Sequence, residues 1–460
     1  MSPSTRPARI TIAIGRVALV AAAIPSRAEA RDVLVTTSRD DGRGSLREAL
    51  RIASESPRAE RIVVTRRCLH VVLESSLVYS GSQPLRIEGG GVSVTTAGAF
   101  DALVIDGGAD VSLSRVVLED GGARGILIEA PASATGTIEV SLEDVVVRGM
   151  AAEGIRIDER GDGIGGGETS SAGIGLRLVD TRIEDNGRSG LFDDVDGIRV
   201  DEGGAGDVTS VIVRSRIRGN AFDGIELDEE GEGSVRVDLA LVSIEANGEG
   251  NDVTGEPDDG FDVDEAGAGD VVLTARLVAV EGNFDQGLDL DEAGDGDATA
   301  SITWSRLTAN GAEGAKVSED GAGSVTVALE RDQFRGNGDD GFQFEEASAG
   351  DVTLTARHVD SRENAKDGMK LDEAGDGALS ATLEDVRACD DADDGMQFSE
   401  GGAGDLVASI DDAEVTGNAA DGIKLKQAGA GTGTATLSAV VATGNGDDDQ
   451  DLSGVTATVL

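Results

Sequence analysis

One tripeptide, an acidic residue followed by glycine and an apolar residue, returns at a nearly fixed interval through most of this chain. With its glycine as origin it stands at Gly197, Gly224, Gly260, Gly287, Gly314, Gly341, Gly368, Gly395 and Gly422, spaced by 27, by 36 and then six times by 27 residues. Only Gly287, which follows Gln286, lacks the acid. Gly125 and Gly154 are earlier, less regular members. A strict repeat of this length implies a solenoid, because each unit is too small to bury its own apolar face and must stack on its neighbours.

Each unit reads as three short strands and three turns. One and three residues after the origin the chain is apolar (Ile225/Leu227, Phe261/Val263, Leu288/Leu290), which is the period-2 signature of a strand with one buried face. A glycine-rich turn follows, as in Asp264-Glu265-Ala266-Gly267-Ala268-Gly269, and its last glycine is expected to take positive φ at a tight corner. A second alternating strand (Val271/Leu273/Ala275) and a short third one (Val278/Val280) complete the rung. The unit closes on a file of asparagines, Asn220, Asn247, Asn283, Asn310, Asn337, Asn364, Asn418 and Asn445, with Asp391 in the remaining place. Such a file suits a side-chain hydrogen-bond ladder. The expected fold is therefore all-β, a right-handed single-stranded parallel β-helix. No stripe at 3.6-residue spacing supports a helical solenoid, and no period of nine supports a calcium roll.

Composition agrees with a thin, aliphatic interior: aromatic residues make up 2% of the chain and glycine contributes 66 residues. The charge of −49 disfavours nucleic acid and anionic membrane as partners, since phosphate binding needs basic patches. Residues 1–30 read as a secretory signal, with Arg6 and Arg9, the largely apolar Ile10–Ile24 and the small-x-small site Ala28-Glu29-Ala30. No later segment is long and apolar enough to span a membrane. Residues 31–60 form an N-terminal cap and 61–460 the β-helix. Cys68 and Cys389 fall many rungs apart, too far for a disulfide, and are expected as buried small apolar residues.

Ahead of the repeats, Ser45 and Glu48 have the spacing of a capping box, and Leu46, Ala49, Leu50 and Ala53 form an apolar stripe, so a short helix is expected over the first rung. The run from Val35, Val-x-x-x-x-Asp-Asp-Gly-x-Gly-Ser-Leu-Arg-Glu-Ala, resembles the N-terminal segment of bacterial surface and secreted proteins with the CSLREA-type motif, with Gly44 in place of its cysteine. That resemblance implies a pectin-lyase-like β-helix and reaches no catalytic motif. The strand-like Val455–Leu460 has no evident cap, which leaves oligomerisation or a partner at that end open.

Chemistry concentrates in three features. Five residues after the origin stand Glu229, Glu265 and Glu292, and one residue earlier Asp228, Asp264 and Asp291, each set belonging to a longer file. Neighbours in a file lie about 4.8 Å apart, so each like-charge contact costs about 0.9 kcal/mol even in bulk water. The side chains must splay into solvent or bind cations, and these six are candidate ligands for Ca²⁺, which takes oxygen donors. Two residues after the origin, Arg199, Glu226, Asp262, Asp289 and Lys316 follow one another on consecutive rungs. In polysaccharide lyases of this fold, calcium-binding carboxylates and a basic residue share the corresponding sheet, so these five are candidate catalytic residues. Simple alternation of outward polar side chains explains them equally well. Finally, the repeat is interrupted around Gly161–Gly175, between Asn186 and Gly197, and over Gly248–Asp259, where projecting loops could carry function.

His70 and His358 are the only histidines, which disfavours histidine metal sites and serine triads. The reading favoured by sequence is a non-catalytic exported or cell-surface scaffold, with cations on acidic turns and an extracellular glycan or surface partner. The alternative is a calcium-assisted uronate lyase.

Overall fold

The computed structural model describes residues 31–160, 169–188, 195–249 and 258–460. Residues 1–30, where a secretory signal is expected, lie outside these residues, as does much of each interruption of the repeat. The apolar alternation expected for each rung forms two long parallel sheets. One, the front sheet, has 14 strands, and the back sheet has 26. A regular rung contributes one strand to the front, such as Phe261–Glu265, and two to the back, such as Val271–Arg276 and Ala279–Glu281. Residues at equal places in the repeat pair directly: Ile225 with Phe261, Phe261 with Leu288, and Leu288 with Ala315. The glycines at 260, 287 and 314 thus sit in register on adjoining rungs, and the architecture is the parallel β-helix expected.

Inward-facing residues of all three strands make one continuous core of mostly aliphatic side chains, widened locally by Phe334, Phe342 and Phe344. Phe342 stacks on Phe344 with 4.8 Å between ring centroids. The asparagine file is buried and hydrogen-bonded along the axis, Asn220 Nδ2 donating to Asn247 Oδ1 and Asn247 Nδ2 to Asn283 Oδ1, each at 3.0 Å. Asp391 accepts from Asn364 in the same ladder, and burial pushes its carboxyl up to about 7.

The N-terminal end is closed by helix α1 (Leu46–Ser54), whose Leu46, Ala49, Leu50 and Ala53 are buried as expected. Ser45 caps it by accepting from the Glu48 amide, but the Glu48 carboxylate pairs with Arg51, so half of the capping box forms. Cys68 and Cys389 are both buried and free.

The turn glycines require a correction. Gly206, Gly233, Gly269 and their equivalents do not adopt positive φ. Glycine is needed there because rungs approach too closely for a side chain: a Cβ on Gly269 would lie 1.5 Å from the Gly233 carbonyl oxygen. Left-handed backbone occurs instead at the two back-sheet corners, often at residues other than glycine, such as Asp180 and Trp304.

Candidate cation-binding face

Because a strand alternates, the two acidic files that adjoin in sequence separate in space. The glutamates, five residues after the origin, point inward with the apolar residues one and three after it. Glu229, Glu265 and Glu292 are at most 1% exposed. Each uses one carboxylate oxygen to accept two amides of its own turn; Glu265 Oε1 takes Gly267 N at 2.9 Å and Gly269 N at 3.1 Å. The other oxygen has no hydrogen-bond partner among the described residues. Burial, followed by the neighbouring glutamates, holds several of these groups far above the ordinary range: Glu292 at about 7, Glu319 and Glu373 at about 8, and Glu202 at about 9. The file therefore points into the interior and does not splay into solvent. Glu202, Glu292, Glu319 and Glu373 are thereby held toward their protonated forms.

The aspartates Asp228, Asp264 and Asp291 point outward, on the face that carries the candidates two residues after the origin. The six residues read as one ligand set thus divide into three inside and three outside. Among the outer ones, Asp228 is held by Arg199 at 3.3 Å and by Arg160, while Asp291 accepts from Lys316 at 3.1 Å and from Ser318. Burial and then the charges of Asp228 and Asp291 raise Asp264 to about 6.

All five candidate catalytic residues lie on this outer face, and the two bases are engaged. Arg199 contacts Glu226 at 2.7 Å and Asp201 at 2.9 Å. Lys316 Nζ lies 3.1 Å from both Asp289 and Asp291. Burial pulls the Lys316 pKa down, but those two carboxylates outweigh it and carry the ammonium above the ordinary lysine value.

A third acidic file, the acid of the repeating tripeptide itself, completes the face. Asp196, Asp223, Asp259, Asp340, Asp367, Asp394 and Asp421 recur immediately before the origin glycines. In regular stretches one oxygen of each accepts the amide of the next, as Asp340 Oδ1 does from Asp367 N at 2.7 Å and Asp367 Oδ1 from Asp394 N at 2.9 Å. The file meets the candidates in two groups, Asp196–Asp223–Glu226 and Asp259–Asp262–Asp289, whose carboxylate oxygens lie within 4.8 Å of one another. Burial first, then mutual repulsion, drives Asp223, Glu226, Asp259 and Asp262 well above the ordinary carboxyl range and Asp289 to about 8.

Further along the same face the chemistry changes. Asp394 is met by Lys424 Nζ at 2.7 Å, Asp340 by Lys370 at 3.6 Å, and Asp339 by Lys366. The position filled by Glu226, Asp262 and Asp289 in the earlier rungs is Lys316, Lys370 and Lys424 in later ones, alternating with Gln343 and Gln397.

No protein-family model and no curated protein sequence matches the chain. Solved structures match in fold at low similarity. A pectate lyase is 13% identical with a TM-score of 0.40, over 73% of this chain and 80% of the lyase. The catalytic domain of an α-1,3-glucanase in complex with nigerose is 12% identical with a TM-score of 0.38, over 94% of this chain and 69% of that one. A Geobacillus virus E2 protein is 10% identical with a TM-score of 0.34, over 75% and 61%. These likenesses are confined to architecture. Among the described residues no helix is long and apolar enough to cross a membrane.

Proposed function

We propose that this chain is an exported, non-catalytic β-helix scaffold that holds divalent cations, calcium foremost, on the acidic stretch of its front face. Through those cations it engages acidic glycans outside the cell. One observation carries the reading: a buried aspartate file that later rungs neutralise with lysine is flanked in earlier rungs by Glu226, Asp262 and Asp289. Asp259 and Asp262 have no ion pair among the described residues and Asp289 shares Lys316 with Asp291, so the cluster carries more carboxylates than countercharges and must bind protons or a cation. Asp259, Asp262 and Asp289 supply only hard oxygen donors, at separations that one Ca²⁺, with oxygens at about 2.3–2.6 Å, can bridge. They would hold the ion, and Asp264 and Asp291 lie on the same face one strand position on. A calcium ion takes about six to eight oxygens, so three carboxylates leave coordination positions for a ligand's own carboxylate.

The lyase alternative draws support from carboxyl groups poised near neutrality, Asp289 at about 8 among them, because acid catalysis works best with such groups. Proton abstraction by Lys316, however, would need its uncharged amine, and Lys316 is held as an ammonium by two carboxylates. The scaffold reading therefore ranks first.

Thermal melts of the exported protein at low ionic strength, with calcium and with chelator, test the proposal. Calcium should raise the midpoint, and an identical midpoint in both would remove the cation. An ultraviolet assay for unsaturated uronates, run with calcium, should stay flat; product formation that is lost in Lys316→Ala would establish the lyase instead.

A further inference from the structure

The back sheet carries a surface of opposite character. The corner between its two strands holds one left-handed residue per rung, linked to the next rung by a backbone hydrogen bond. At several rungs this residue is aspartate (Asp144, Asp180, Asp385, Asp412), a side chain that tolerates this backbone through local hydrogen bonding. On three consecutive rungs it is Leu241, Leu277 and Trp304, with φ of 59°, 55° and 57°. Bulky apolar residues are disfavoured there on backbone grounds. They gain no burial in return, being 52%, 44% and 53% exposed. A strained, exposed apolar row, where aspartate serves on other rungs, is the mark of a contact surface.

Its charge is also out of keeping with the molecule. In a chain of net charge −49, Arg276 and Arg306 flank Leu277 and Trp304 and are exposed, with no ion pair among the described residues. Arg331, one rung on, lies with its guanidinium 4.8 Å from the centroid of the Trp304 ring and is paired with the exposed Glu330, so the unpaired positive charge is that of Arg276 and Arg306. At physiological salt a charge is screened beyond about 8 Å, so a close contact feels these arginines more than the distant acidic face.

We propose that this ridge is a second, cation-independent binding surface for an acidic polysaccharide, whose apolar sugar faces pack on Leu277 and Trp304 while its carboxylates pair with Arg276 and Arg306. The row runs along the solenoid axis with a rise of about 4.8 Å per rung, so an extended chain can follow it over several rungs. Guanidinium groups favour carboxylates through paired hydrogen bonds. This inference does not rest on the calcium reading of the front face.

Trp304 is the only tryptophan in the sequence, so its fluorescence reports on this ridge directly. The experiment is a titration of the full exported chain with polygalacturonate in 0.15 M salt, about the physiological ionic strength, with excess chelator. A saturable change in emission is expected, weakened at least tenfold in Arg276→Ser/Arg306→Ser. A neutral α-glucan should give no change. The proposal is overturned if polygalacturonate leaves the emission unchanged in chelator, if the neutral glucan acts equally, or if the double variant binds as the parent does. Since calcium is absent throughout, failure here leaves the front-face reading standing, and success here does not establish it.

Discussion

The rungs that begin at Gly260 and Gly287 and those that begin at Gly368 and Gly422 share backbone register and the tripeptide acid or its near equivalent, and all but the last, which has Gln427, carry the inner glutamate, yet they differ in how the front face is neutralised. In the later stretch a lysine arrives from the strand itself: Lys424 Nζ sits 2.7 Å from Asp394 Oδ2. In the earlier stretch the same strand position supplies Asp262 or Asp289, and the carboxylates converge on one another. A β-helix stacks like on like, so any charged file must be paired, protonated or metal-bound. In the later rungs Asp340 and Asp394 are each met by a lysine, although Glu313, Asp339 and Asp340, and Asp367, Asp393 and Asp394, still converge there. Of the inner glutamates, Glu202, Glu292, Glu319 and Glu373 are held toward their protonated forms by burial. On the proposed reading, the earlier front face is the part left to a cation.

The largest effects should come from the inner file, which is common to both stretches and serves as the reference. Glu292→Ala leaves the amides of Gly294 and Gly296 without their acceptor, at about 1–3 kcal/mol for each buried group. Urea unfolding should show the loss, and calcium should not restore it. The same file sets a pH dependence. Glutamates with an ordinary value of 4.5 and folded values of about 7 to 9 bind more protons folded than unfolded between those limits. Their contribution is fully present below about 4.5 and is lost as pH rises through the folded values. Unfolding midpoints measured from pH 5 to 9 should fall steadily. Calcium should remove the share contributed by the front-face carboxyls and leave that of the inner file.

Breaking the pairing in the later stretch should convert it toward the earlier one. Lys424→Ala strands the buried Asp394 carboxylate, a loss of about 1–3 kcal/mol in chelator by thermal or urea unfolding, partly recovered by calcium. The reverse exchange is the smallest effect. Asp262→Lys brings a cation to Asp259 and Asp289, so stability in chelator should rise by about 1 kcal/mol and the calcium-induced shift should fall by more than half. A full calcium response in Asp262→Lys would break the comparison.

Much of the fold was legible because a repeat repeats its physics: the register of Ile225, Phe261, Leu288 and Ala315, the asparagine ladder and the apolar stripe of α1 all follow from spacing. The site was legible in part. Glu226, Asp262, Asp289, Arg199 and Lys316 were placed on one face by alternation alone. The same alternation puts Glu229, Glu265 and Glu292 inside, in phase with Leu227, Val263 and Leu290, but adjacency to Asp228, Asp264 and Asp291 suggested one ligand set. Asp223 and Asp259 stood in plain view as the acid of the tripeptide and served only as a landmark, because their convergence with Asp262 depends on the corner's geometry. The turn glycines taught a similar lesson: the distance between rungs, invisible in one unit, decides Gly269.

The most direct test is anomalous diffraction from crystals grown with calcium. The account predicts a peak among Asp259, Asp262 and Asp289, with oxygen ligands at about 2.3–2.6 Å, and none where Lys424 meets Asp394. An empty earlier stretch with calcium in excess, or equal peaks in both, would contradict it.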